Sequence, residues 1–416
     1  MESVVVACMQ PRLTILASHE EFNALARRFM RQSQAKGATL TIFPELTGLM
    51  LAPPLISGFR LGMIRRADRG RQPGAGFVAR RLGRVANTTA DVLGGGLAGS
   101  LARLLRKDSE ALRDATLATF GGLAREFSTA LVGGSQYLCD GETGTVRNRA
   151  YVFDAGGEVM GYQDKLNLAP EEKAWAVPGT DLGVFQMKFG RVGVLIGQDV
   201  LYPELARLLS VQDVDVLVNV LAVSGAAEAN LLRSALAIRA EENEVFGAAS
   251  FLLGPNYLDD REDYCGQSAL LAPVMLSEKR DGVLLQAGSA RAESVVTGAL
   301  PAEALYTLRQ SGRMRLRREM NLGNLGPVLA EMYERGLTIE QAIEHRIAAP
   351  EKAASVPAPL ESAESPAGEA MPPTLPVPET PPWVEADELT ASEAEPPAMP
   401  APEATAAVEP DDAWTA

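Results

Sequence analysis

Apolar residues recur with two rhythms along the first three hundred positions. Short, nearly continuous apolar runs at Ser3–Met9 and Thr39–Phe43 read as strands, the second ending at Pro44-Glu45. Between them Ser18-His-Glu-Glu21 fits a capping box that opens a helix through about Ala35, with Phe22, Leu25, Ala26 and Phe29 on one face and Lys36-Gly37 at its end. A second helix is predicted over about Ser109–Phe127, with shorter helical stretches near Glu204–Leu209 and Asn230–Glu242. Further strand-like runs lie at Ala130–Leu138, Arg149–Asp154, Val184–Phe189, Val192–Ile196, Val214–Val220 and Val245–Ser250. Strands alternating with helices predict an α/β fold whose sheets are covered by helices. Turn residues at Asp140-Gly141, Ala155-Gly156-Gly157 and Phe189-Gly190 predict hairpins, so the sheets should be mixed. Beyond position 300, Pro327–Glu334 and Ile339–His345 are predicted helices.

Composition changes this picture at two places. The 416 residues are 46% hydrophobic, enough for a large core, but the formal charge of -14 is unevenly spread. Glu351 to Ala416 holds 14 Asp or Glu against Lys352 alone, and 14 of the 27 prolines, so 350–416 is expected to be a disordered acidic tail. Leu51 to Lys107 holds 11 Arg or Lys against Asp68 and Asp91, a basic insertion that suggests an anionic partner. Its basic and apolar residues could form amphipathic helices on an anionic membrane surface; the alternatives are a disordered insertion, one packed on a partner, or one held by the acidic tail. Scarce aromatics argue against nucleic acid. The expected organisation is a domain over 1–300 interrupted at about 51–107, a helical extension over 301–349, and the tail.

Two histidines and three cysteines without CxxC or CxxH spacing leave no basis for a zinc site or for serine–histidine catalysis. GGGLAGS at Gly94–Ser100 has no Lys-Ser or Lys-Thr at Walker spacing, so no cofactor and no metal is expected. No apolar run is long enough to span a bilayer and no signal-peptide pattern opens the chain. A cytoplasmic location with reduced thiols is expected, with peripheral membrane contact as one of the alternatives for the insertion.

Three strand ends carry candidate chemistry. Glu45, in TIFPELTG, would point from a rigid edge into a cleft and could act as a general base. Lys165, in GYQDKLNLAPEEKAWAVPGT, follows the hairpin NRAYVFDAGGEVMGY and could supply charge to a developing oxyanion. In VGVLIGQDVLYPELARLL a strand runs into a sharp turn and a helix near Pro203. Taken singly, a Pro-Glu turn and a lysine in a loop are more often solvated.

Together, and in this order, the three resemble the nitrilase, or carbon-nitrogen hydrolase, superfamily. VGGSQY, NRAYVFDAGGE, PELARLL, RAEENEVFGAAS and GQSALLAP support the resemblance from Val4 to about Leu300. It implies a four-layer α-β-β-α sandwich, pairing into dimers or larger homo-oligomers, and hydrolysis of nitriles or amides by a Glu–Lys–Cys triad. The matching positions are Glu45, Lys165 and Gly197, with Glu172 as a second assisting carboxylate. Gln198, Asp199 and Ser224 match the pocket lining and are expected to contact the substrate.

The departure is at Gly197, where the resemblance calls for the cysteine that attacks the substrate carbon. Glycine offers no nucleophile, and it is expected to leave a gap on which Glu45 and Lys165 still converge. Cys8 reads as a core residue; Cys139 and Cys265 could approach a cleft edge, but neither sits at an elbow. Two readings follow: a pseudoenzyme that binds a small amide-, nitrile- or carboxylate-like ligand or a protein partner, or an active C–N hydrolase using a substitute nucleophile.

Overall fold

The computed structural model describes residues 4–55, 108–256, 262–311, 322–338 and 341. The predicted Ile339–His345 helix except Gln341, the acidic tail, and the basic insertion beyond Leu55 therefore lie outside the described residues; two short 3-10 turns, Thr47–Leu51 and Pro53–Leu55, lead up to that point.

The period-two pattern of β1 (Val4–Gln10) sorts its side chains between two environments. Val4, Val6 and Cys8 face a second sheet, while Ala7 and Met9 face helices. β1 pairs in parallel with β2 (Leu40–Ile42), and β2 in parallel with β3 (Ala130–Cys139). β3 continues through antiparallel hairpins into β4 (Val146–Phe153) and β5 (Val159–Asp164), as the Asp140-Gly141 and Gly156-Gly157 turns predict. The second sheet is built likewise. β7 (Gly190–Ile196), β8 (Val216–Leu221) and β9 (Phe246–Phe251) run in parallel, and β6 (Val184–Met187) folds back on β7 at Phe189-Gly190. β10 (Ala269–Leu271) and β11 (Val283–Gln286) extend it, and β12 (Ser294–Leu300) returns to pair antiparallel with β1. The orders are β12-β1-β2-β3-β4-β5 and β11-β10-β9-β8-β7-β6.

Ile42, Val132, Val152, Val194, Ile196, Val218 and Val220 fill the space between the sheets. On the outer face of the first sheet lie α1 (His19–Gln34) and α2 (Ser109–Phe127), with Phe22, Phe29, Phe43, Phe120 and Phe153 in their core. The Ser18 hydroxyl accepts the Glu21 amide, and the Glu21 carboxylate accepts that of Ala17, so the predicted cap starts α1 where expected. On the second sheet lie α3 (Pro203–Val211) and α4 (Ala226–Asn243), packed through Leu209, Leu232 and Leu236. The result is the expected α-β-β-α sandwich. Two helices follow β12: α5 (Ala302–Ser311), and α6 (Leu322–Arg335), which starts five residues before the predicted Pro327. Among the described residues no helix is long and apolar enough to cross a membrane.

Candidate functional site

The C-terminal ends of β2, β5, β7 and β8 open on one cavity of about 180 Å³. Glu45 reaches it because the chain after β2 folds down onto β3. Gly134 permits that approach: its φ is +70°, and a Cβ there would run into the Pro44 carbonyl. Glu45 is thereby 3% exposed, not solvated as an isolated Pro-Glu turn would be. Its Oε1 accepts hydrogen bonds from Asn148 Nδ2 and Lys165 Nζ, both at 2.9 Å, and its Oε2 accepts one from the Ala222 amide at 3.0 Å.

Lys165 follows β5, its amide held by the Asn148 carbonyl at 2.8 Å. Its ammonium stands between two carboxylates, 2.9 Å from Glu45 Oε1 and 2.9 Å from Glu172 Oε2. Glu172 also accepts the Ala169 amide at 2.7 Å and a short hydrogen bond from the Tyr137 hydroxyl. Burial pushes the Glu45 carboxyl above the usual carboxylate range, and the Lys165 ammonium opposes it only in part. Burial by itself lowers the pKa of Lys165, but the two carboxylates outweigh it and raise the group above an ordinary lysine. The Tyr137 phenol is pushed well up by burial and by Glu172, so it stays protonated and donates.

Gly197 ends β7 and opens a 3-10 turn, Gly197–Leu201, ahead of α3. Its φ of +56° lies in the left-handed region. A Cβ on Gly197 would stand 2.9 Å from Glu45 Oε2, 3.0 Å from Lys165 Nζ and 3.2 Å from Glu45 Oε1. Glu45 and Lys165 thus converge on this glycine as expected, so close that a Cβ there would make their flexible ends give by a few tenths of an ångström.

Gln198 and Ser224 line the same cavity. Gln198 donates to the Asn167 carbonyl at 3.1 Å, and Ser224 Oγ accepts from Asn256 Nδ2 at 3.0 Å. Asp199 corrects the expectation of a substrate contact. It is 1% exposed, does not line the cavity, and turns its carboxylate onto the Leu166, Asn167 and Ile196 amides and the Asn167 side chain. It clamps the loop that carries Lys165 to the elbow that carries Gly197. Asp199→Ala is expected to destabilise the fold by about 3 kcal/mol, because several buried amides lose a charged acceptor together. Chemical denaturation measures this, and a loss under about 1 kcal/mol would show that the clamp is dispensable.

None of the three cysteines lines the cavity. Cys8 lies between the sheets and Cys265 in the core under α3 and α4, each thiol pushed up by burial. Cys139 lies with Arg147 and Arg149 in a separate surface depression. Tyr137, Asn148, Asn256, Tyr264 and Glu228 were not singled out from the sequence. Tyr137 and Asn148 fall inside the VGGSQY and NRAYVF segments, the one signal that could have found them.

Paired sheets with helices outside, and a buried Glu–Lys–Glu cluster at the strand ends, define an α/β-sandwich protein with a charged cleft. The chain belongs to the carbon-nitrogen hydrolase family, whose model matches residues 5–310. It is 27% identical over 202 residues to a probable hydrolase, YhcX, of Bacillus subtilis, a match covering 48% of this chain and 39% of that protein. It is also 27% identical over 214 residues to the omega-amidase NIT2 of Xenopus tropicalis, covering 48% of this chain and 71% of that one. Among solved structures, an amidase from Nesterenkonia sp. superposes with a TM-score of 0.51 at 22% identity, over 76% of this chain and 95% of that one. Nit3 of Saccharomyces cerevisiae, a nitrilase-superfamily member, superposes with a TM-score of 0.51 at 18% identity, over 75% and 95%. At these identities the superpositions define the fold.

Proposed function

We propose that this protein is a pseudoenzyme of the carbon-nitrogen hydrolase family that binds a small amide- or nitrile-like ligand without cleaving it. The observation that carries this is Gly197, at the strand-to-turn elbow against Glu45 and Lys165, with no cysteine on the cavity wall. The covalent route needs a thiolate to attack the ligand's carbonyl or nitrile carbon. Glu45 would take the thiol proton and Lys165 would stabilise the developing negative charge. With glycine at 197, no cysteine among the described residues stands where it could form that first bond. What remains is a proton acceptor, Glu45, and a proton donor, Lys165, set for the two ends of an amide group. Self-association fits the same reading, since Leu208 and Val211 on α3 and Leu231 and Ile238 on α4 are each more than half exposed.

The wild-type protein is expected to release no ammonia from a panel of amides and nitriles, and to show no adduct by intact mass. Ligand binding should be visible by calorimetry. Measured turnover that disappears in Glu45→Gln would replace this reading with that of an active hydrolase using a substitute nucleophile.

A further inference from the structure

The cavity is layered by charge. Glu45, Lys165 and Glu172 line it and are buried, so they form its floor; Trp175 and Glu228 line it and are exposed, so they stand at its mouth. Lys165 is the only basic lining residue among the described residues, and its ammonium already donates to Glu45 and Glu172. Glu228 lies in the first turn of α4, and Leu232, one turn further on, forms part of the wall. Glu262 adds a second carboxylate beside the start of that helix, its Oε2 3.5 Å from where a Cβ on Gly225 would stand.

This arrangement is unfavourable for an anion. A ligand carboxylate would pass Glu228 on entry, and would then compete with Glu45 and Glu172 for the one ammonium. An entering cation is drawn by the same field, because the described lining carries an excess of carboxylates over its one ammonium, and a cleft concentrates such a potential. Even with the Glu45 carboxyl protonated, Glu172 stands against Lys165, and the exposed lining among the described residues still holds Glu171 and Glu228. Trp175 supplies an independent feature. It is 43% exposed and set edge-on to Tyr137 with ring centroids 4.2 Å apart, which leaves aromatic surface at the mouth for a cation.

We infer that the site selects a small cationic amide or nitrile, its carbonyl or nitrile group at the Glu45–Lys165 floor and its protonated amine at the mouth beside Glu228 and Trp175. The inference rests on the ligand-binding reading above and names the chemical class that the cavity takes. A carboxylate-bearing ligand, one of the classes expected from the sequence, is the one that this charge pattern disfavours.

Three probes of matched length test it by calorimetry on the full-length protein: 5-aminopentanamide, pentanamide and glutaramate. The cationic amide is expected to bind roughly tenfold more tightly than the neutral one, with glutaramate weakest, and the preference should shrink in high salt. Glu228→Gln should reduce the ratio of cationic to neutral probe affinity about three- to fivefold. If the neutral and cationic probes bind equally, or glutaramate binds best, the charge selection is wrong and the ligand-binding reading survives. A cationic preference that Glu228→Gln does not reduce removes the amine from this mouth. If none of the three binds, both readings fall together.

Discussion

Lys165→Met is expected to destabilise the protein by about 3–5 kcal/mol at neutral pH, the cost of stranding buried charge without its partner. Lys165 is 6% exposed, and its ammonium is the shared donor of Glu45 and Glu172. Without it, two buried carboxylates face each other, and at least one must take up a proton for the chain to fold. The pH dependence follows from the shifts. The Lys165 pKa is raised on folding, so its stabilisation is fully present below the unfolded value and is lost only as pH rises through the folded one, in the alkaline range. Glu45 is also raised, so the folded state holds its proton more tightly than the unfolded chain. That contribution is present below the ordinary glutamate range and declines as pH rises through the shifted value. In the variant the ammonium no longer restrains this rise. Its stability deficit should therefore be smaller near pH 5 than near pH 8, and adding Glu172→Gln should recover part of it. Urea denaturation across this range is the measurement. A deficit that does not change with pH would show that the three groups are not electrostatically linked.

Gly197→Cys has the second large expected effect, and it acts on reactivity. The backbone at 197 has a φ of +56°, which costs a non-glycine residue about 1–2 kcal/mol. The new Cβ would also press on Glu45 Oε2 at 2.9 Å and Lys165 Nζ at 3.0 Å, so both side-chain ends must give by a few tenths of an ångström to admit it. Both contacts are ends of flexible side chains, and the protein should fold with a modest loss of stability. The installed thiol would lie against the Lys165 ammonium, which favours the thiolate. Alkylation by iodoacetamide near neutral pH, followed by peptide mass mapping, is expected to label position 197 at least about tenfold faster than Cys139, with Cys8 and Cys265 protected by burial. Gly197→Ala should show the same stability loss without the reactive sulfur. Equal labelling of position 197 and of Cys139 in the variant would mean that the floor does not activate a thiol.

Much of the fold is legible in local pattern, for reasons that differ by element. α1 is announced by Ser18 and Glu21, whose side chains bond the free amides at its start. α2 spans Ser109–Phe127 as its periodicity predicts. β3, β4 and β5 follow from glycine turns that set the hairpins. β10 and β11 are three and four residues long, too short for alternation to stand out. β12 escapes notice for another reason: its partner is β1, nearly the whole domain away in sequence, with Val4 opposite Leu300. No local pattern states a pairing of that kind.

The site divides in the same way. Glu45, Lys165 and Gly197 are found by their order along the chain and their places after strands, because a strand end at a sheet edge is where a side chain can be held rigidly over a cleft. Glu45, read alone, is a solvated turn residue; it is buried and ion-paired because the Pro44-Glu45 turn lies on Gly134 of a neighbouring strand. Asp199 has the residue type and position of a ligand contact, yet its carboxylate turns inward, where four donors offset part of the loss of water. Glu228 carries no signal in the sequence that separates it from other surface glutamates, and it matters because α4 begins at the cavity mouth. The layers, the family and the glycine at the elbow are already written in the order of residues, because period, turn chemistry and residue identity are local properties. Which charges are buried, which are paired and which face a ligand is settled only by packing in three dimensions, because desolvation and Coulomb energy depend on neighbours that chain order does not name.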